Sequence, residues 1–194
     1  MSPEHSKTDF TDAARQSGPA DYARACVENS VRGTAAPAAP ADMPFGARAA
    51  CFVSIKKQGD LRGCIGTLVP AEPNLGQEIA HNAYSAANKD PRFAPVTEPE
   101  LDALTYSVDV LSAPQPCDVS DLDPSRYGVI VTADWRRGVL LPGLPGIEDV
   151  VKQVGIALQK AGIMPGEPFD LERFTVRRYG EGDTHGEAVG RGEG

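Results

Sequence analysis

Cys64 lies in the segment Leu61-Arg62-Gly63-Cys64-Ile65-Gly66, two residues after an arginine and bracketed by two glycines. A thiol beside a guanidinium has its thiolate favoured, and a thiolate can serve as nucleophile, metal ligand or redox centre. Lys56, on the preceding apolar run, offers a second cation to the same setting. The glycines allow another backbone or a ligand to come close. The same spacing also describes a small buried hydrophobe in a glycine-bearing strand, because free cysteine is among the most buried residue types. Cys64 and Arg62 are thus the candidate catalytic residues, with a packing role as the competing reading.

A second candidate is Asp90-Pro91-Arg92-Phe93. Proline fixes the turn, so Asp90 and Arg92 are presented from a rigid loop, either to a small anionic substrate or to neighbouring backbone. Asp109 interrupts the apolar run Tyr106-Ser107-Val108-Asp109-Val110, and alternation puts it with Ser107 on the face opposite Tyr106, Val108 and Val110. It is a third candidate for substrate binding, or simply faces water. His81 falls on the polar side of its helix and reads as a surface histidine; His5 and His185 are in the terminal stretches. That distribution excludes a histidine-rich metal centre, and no metal ligand set is assigned. Trp135, the single tryptophan, sits in a hairpin turn as a loop anchor or partner contact. No dinucleotide, Walker, H-E-x-x-H or G-x-S-x-G motif occurs, and no cofactor is implied.

The elements that must position these residues can be read from periodicity. Pro19 to Arg32 predicts a first helix ending at Gly33, and the Ala/Pro-rich stretch 34–44 an irregular connection. Ala49 to Lys57 and Leu61 to Leu68 predict a hairpin around Gln58-Gly59-Asp60. If Val53, Ile55, Leu61 and Ile65 share the buried face, then Ser54, Lys56, Arg62 and Cys64 lie together on the other. Asn74 to Asn88 is a capped amphipathic helix, Leu104 to Ser112 a strand, and Gly128–Ala133 with Gly138–Leu141 a second strand pair. A late helix runs Ile147 to Ala161, with Ile147, Val150, Val151, Val154 and Leu158 inward, followed by one strand near Phe169 to Tyr179. Hairpins and separate helices without regular strand-helix alternation predict an α+β fold.

The 194 residues carry a formal net charge of −8, of which −2 belongs to residues 1–21 and −3 to residues 180–194, so the middle is only mildly acidic. Without a Lys/Arg stripe, neither a nucleic-acid footprint nor docking on an anionic membrane is expected. No apolar run is long enough to span a bilayer and no signal pattern opens the chain, so a cytoplasmic location is expected. The four cysteines are far apart and read as reduced thiols. Residues 1–18 and 180–194 are expected to be disordered tails around a domain at 19–179.

Taken in order, Leu61-Arg62-Gly63-Cys64-Ile65-Gly66, Asp90-Pro91-Arg92-Phe93, Tyr106-Ser107-Val108-Asp109-Val110-Leu111, Gly138-Val139-Leu140-Leu141-Pro142 and Lys160-Ala161-Gly162 resemble the AMMECR-type domain, known in prokaryotes as AmmeMemoRadiSam system protein A. The resemblance implies two subdomains, mainly antiparallel sheet flanked by helices, with a cleft near the Arg-Gly-Cys segment. It also implies partners: a Memo-like protein related to dioxygenases and a radical S-adenosylmethionine protein. The final strand carries Arg177-Arg178-Tyr179 where the family leads one to expect a histidine. The family implies no particular reaction, and oligomeric state is not implied either. Two functions stand: a thiol-dependent enzyme or enzyme component, or a non-catalytic binding or scaffold module for those partners.

Overall fold

In a computed structural model, residues 18–40, 45–182 and 185–189 are described. The first 17 residues, most of the expected N-terminal tail, lie outside them, as do 41–44 of the Ala/Pro connection. The fold is α+β, with two antiparallel sheets flanked by helices. Sheet A has the order β2-β1-β3-β8-β9 and sheet B the order β4-β7-β5-β6.

Sheet A begins with β1 (Cys51–Lys57) and β2 (Asp60–Gly66). Gln58 and Gly59, both at positive φ, make the two-residue turn whose twist matches that of the flanking strands. Strand β3 (Leu104–Leu111) pairs with β1, and β8 (Val176–Gly180) pairs with β3. One face of this sheet is covered by α1 (Pro19–Val31) and α2 (Leu75–Asn88), which also pack on each other. Proline opens α1 where its missing N–H costs nothing, and the Asn74 side chain caps α2 by accepting from the Gln77 N–H. Val53, Ile55, Val108, Leu75, Ile79 and Ala83 lose all solvent contact between these layers. Each large aliphatic buried this way contributes about 1.5–3 kcal/mol.

Sheet B contains β4 (Gln115–Pro116), β5 (Gly128–Ala133), β6 (Arg136–Leu140) and β7 (Asp170–Phe174). Helix α3 (Val150–Ala161) packs on its β5 and β6. It starts three residues later than periodicity predicts because the Asp149 side chain caps it, accepting from Val151 and Lys152 N–H, and it ends at Gly162 in the left-handed conformation. Val151, expected inward, is 75% exposed; Gln153 and Ala157 are buried instead.

Three further expectations are corrected. The single strand foreseen near Phe169 to Tyr179 is two, β7 in sheet B and β8 in sheet A, and the chain changes sheet at Thr175. That crossing lies beside Ser112, which donates its N–H to Thr175 O and accepts the Thr175 N–H on its hydroxyl. Within 180–194, expected to be disordered, Glu187–Ala188 form β9, an edge strand on β8, and Val189 packs on the cluster between the sheets, while 183–184 and 190–194 lie outside the described residues. The hairpin β1–β2 also contains a bulge: Ile55 faces Gly63 but Lys56 faces Leu61, which leaves Arg62 as an extra, unpaired residue.

The two sheets meet through Phe52, Leu111 and Val176 of sheet A, with Ala50 just before β1, and Ile130, Val139 and Phe174 of sheet B. These sheet A residues belong to the face turned away from α1 and α2, so sheet B covers one end of that face. The uncovered end carries the candidate site.

Candidate functional site

Antiparallel pairing fixes which side chains share the uncovered face. Cys64 on β2, Ser54 on β1 and Ser107 on β3 form one row across the sheet. Phe52, Asp109 and Arg178 form the next, and Lys56 with Thr105 lies on the other side. The Ser54 hydroxyl donates to Cys64 Sγ at 3.3 Å. That close approach follows from the pairing: the Cys64 N–H and C=O both point away from β1, so Cys64 and Ser54 are a non-hydrogen-bonded pair, the kind whose side chains stand closest.

The outward-pointing backbone groups of Cys64 are taken by the loop after α2. Asp90 Oδ2 accepts the Cys64 N–H at 2.9 Å, and Arg92 Nη2 donates to Cys64 O at 3.1 Å. Asp90 also accepts the Arg92 N–H, Nε–H and Nη2–H. Its carboxylate is 4% exposed, so these four hydrogen bonds provide what burial removes. The Arg92 hydrogen bonds, joined by the Cys64 and Arg92 backbone N–H groups, hold the Asp90 carboxyl well below the usual carboxylate range against the opposing effect of burial. The pair thus closes the free edge of β2.

A second pair with the same geometry stands two strands away. Arg178 donates from Nε and Nη2 to the two oxygens of Asp109, each at 2.7 Å, with Asp109 buried and Arg178 half-exposed. The hydrogen bonds to Asp109 raise the Arg178 pKa. Cys64 lies within electrostatic reach of both guanidiniums, Arg92 and Arg178. Beside Ser54 a cavity of about 260 Å³ is lined by Ser54, Lys56, Thr105, Tyr106, Ser107 and Arg178.

Arg62 does not share this face. The bulge turns it to the sheet edge, where it donates to Glu100 Oε1 at 2.7 Å and to the carbonyls of Ala94 and Pro95. With Arg62 as the largest cause and Lys57 adding a hydrogen bond, the Glu100 carboxyl is pulled down to about 2. Leu61 takes the place beside Lys56 and is 42% exposed. The cations that interact electrostatically with the thiol are therefore Arg92, which the sequence singled out, and Arg178, which it did not. Arg178 had no local signal, since its partner Asp109 is 69 residues away and Arg178 itself lies on β8, a strand reached only after the chain has built sheet B. The bracketing glycines serve packing: a Cβ on Gly63 would stand 2.3 Å from the Ala86 carbonyl oxygen of α2, and one on Gly66 would strike the Phe52 ring.

The other candidates lie apart from this cluster. His81 is exposed, with Nδ1 2.9 Å from Glu72 Oε1. Trp135 is no loop anchor: it is 88% exposed at the tip of the β5–β6 hairpin. Burial, the largest cause in each case, pushes the Cys26 thiol up to about 11 and the Cys51 thiol up to about 12, and raises Cys117 as well. All four cysteines are free thiols, and Cys64 is partly exposed. No described helix is long and apolar enough to cross a membrane.

Comparison with known proteins agrees with this architecture. The chain is 51% identical to a Thermotoga maritima protein over 138 residues, covering 70% of this chain and 79% of that one. It is 48% identical over 130 residues to a Clostridium acetobutylicum protein of which the match takes up only 28%. The crystal structure of an uncharacterized Pyrococcus horikoshii protein superposes with a TM-score of 0.72 at 25% identity, covering 89% of this chain and 95% of that one. The AMMECR1 family model matches residues 20–181, and the chain belongs to the AMMECR1 family.

Proposed function

We propose that this protein is a thiol-dependent component of a small-molecule- or protein-modifying pathway, working with a Memo-like, dioxygenase-related protein and a radical S-adenosylmethionine protein, and that Cys64 is its reactive group. The carrying observation is the way the fold treats Cys64. Both of its backbone groups are bonded by Asp90 and Arg92, its sulfur meets the Ser54 hydroxyl, and two fixed guanidiniums stand near it. Cys51, whose carbonyl and sulfur are also met by a side chain, Asn82, is fully buried, whereas Cys64 is partly exposed on an open sheet face. Positioning of this kind is what a reacting or anchoring group requires. The resemblance to AmmeMemoRadiSam system protein A supports the choice of partners.

A second reading, a non-catalytic module that holds those partners, is favoured by one observation. Among the described residues no histidine or carboxylate bonds to the Cys64 sulfur, so no general base accompanies it. Co-purification with the two partner proteins, combined with mass spectrometry of the small molecules and proteins they modify, separates the two. Cys64→Ser that keeps the complex and abolishes the modification supports the thiol reading. Loss of the complex with the chemistry otherwise intact supports the binding module.

A further inference from the structure

The cavity beside Ser54 has a composition that the thiol reading does not use. Its six lining residues include two cations, Lys56 and Arg178, and three hydroxyls, Ser54, Thr105 and Ser107, with no carboxylate among them. The nearest buried carboxylate, Asp109, has both oxygens engaged by Arg178. Those two bonds use Nε and Nη2 and fix the guanidinium plane, leaving Nη1 without a hydrogen bond among the described residues. Lys56 is exposed and makes no ion pair among the described residues. Glu187, in register with Arg178 on β9, is exposed and has no ion pair with it among the described residues. With Asp109 neutralising Arg178, the Lys56 charge is left without a partner at the cavity wall.

We infer that this cavity is a subsite for an oxyanion, a carboxylate or phosphate group of a small ligand whose remaining part lies towards Cys64. A fixed guanidinium, an ammonium and several hydroxyl donors match the acceptor oxygens of such a group, and a planar guanidinium held by a buried carboxylate loses little freedom on binding. The volume of about 260 Å³ is close to the lower limit of about 300 Å³ for ligand pockets, which suits a small acid and excludes a dinucleotide. The inference rests on the reading of the Cys64 face as a small-molecule site and supplies the class of ligand.

The test compares alkylation of Cys64 in the full chain by iodoacetate, which is anionic, and by iodoacetamide, which is neutral, each read by mass spectrometry. An oxyanion subsite beside the sulfur raises the iodoacetate to iodoacetamide ratio at Cys64 above that at Cys117, and Lys56→Gln lowers it by about fivefold, the effect of one partly exposed charge. Millimolar inorganic phosphate or succinate protects Cys64 from both reagents in the wild type and protects it less in Lys56→Gln. Protection by phosphate alone, or by succinate alone, identifies the source of the oxyanion. A ratio unchanged by both Lys56→Gln and Arg178→Gln, with no protection by either anion, overturns the inference. Lys56 is exposed and supports no other side chain, so its variant folds even if Arg178→Gln, which strands the buried Asp109, does not. Should Cys64 resist both reagents, the thiol reading fails by itself; a thermal shift with phosphate or succinate that Lys56→Gln removes would still establish the subsite, and no shift would overturn it.

Discussion

Asp90 accepts the backbone N–H of Cys64 at 2.9 Å from a loop 26 residues further along the chain, and with the same carboxylate it orients Arg92, which returns a hydrogen bond to the Cys64 carbonyl. Two segments that look independent in sequence are thereby one unit. Asp90→Ala strands the Cys64 N–H and frees the half-exposed Arg92 guanidinium to water, and should destabilise the protein by about 1–3 kcal/mol, the cost of leaving a donor without its charged acceptor. Asp90→Asn keeps one acceptor for the amide and should lose less. Urea unfolding gives the difference, and hydrogen exchange at the Cys64 amide, faster in both variants, shows that the loss is local to the β2 edge.

Glycine in the Cys64 segment makes a prediction opposite to that of glycine elsewhere. Gly63→Ala would put a methyl 2.3 Å from the Ala86 carbonyl, and Gly138→Ala one 1.9 Å from the Ala157 carbonyl, so in both sheets the helix would have to move. Each should cost about 1–3 kcal/mol or more, as overpacking does. Gly155 lies within α3 with nothing within 4 Å of its would-be Cβ, and Gly155→Ala should stabilise by about 0.5–1 kcal/mol. Thermal unfolding of the three variants checks the signs.

The Arg62–Glu100 pair sets an acid limit on stability. In the fold the Glu100 carboxyl is drawn from its ordinary 4.5 down to about 2, so its contribution is complete above the ordinary value and is lost as pH falls from about 4.5 towards 2. Asp90 has the same sign and loses its contribution at still lower pH. Glu100→Gln should lower stability by about 1.5–3 kcal/mol at neutral pH, the range for hydrogen bonds to charged groups, and flatten the acid limb. Denaturation midpoints across that pH range would show it.

Arg62 gives a complementary outcome. Because it is bonded to Glu100 and to the 94–95 carbonyls, Arg62→Gln should weaken the fold by an amount comparable to Glu100→Gln while leaving the alkylation rate of Cys64 within about twofold, as expected when a change lies outside a local network. A selective drop in Cys64 reactivity without loss of stability would return Arg62 to the site. Parallel unfolding and alkylation measurements decide it.

These outcomes also mark what local sequence can and cannot reveal. Strands β1, β2, β3, β5 and β6, the helices α1 and α2 and the β1–β2 hairpin follow from period, caps and turn residues, and the face of β1 that carries Ser54 and Lys56 follows from alternation. Arg62 escaped because one bulged residue reverses parity, and Gly63, the one local hint of a bulge, reads equally as a site of close backbone approach. The break at Thr175 escaped because the slips in alternation at Glu172-Arg173 and Arg177-Arg178 do not fall on it, and the change of sheet is set by the packing of Phe174 and Val176 between the sheets. Arg178 needed long-range strand pairing, which no local pattern records. Asp90 and Arg92 were legible as a rigid loop, but their partner, the Cys64 backbone, was not.

The most direct test of Cys64 as the reactive group is competitive alkylation of the native chain with limiting iodoacetamide near neutral pH, with all four cysteines quantified by mass spectrometry. Cys26, Cys51 and Cys117 have thiols raised by burial, and Cys64, partly exposed as Cys117 is, lies on an open sheet face. The account predicts that Cys64 is modified first, about tenfold or more ahead of the next thiol, since reactivity follows exposure and thiolate character. Modification of Cys117 ahead of Cys64, or a Cys64 as inert as Cys51, would contradict it.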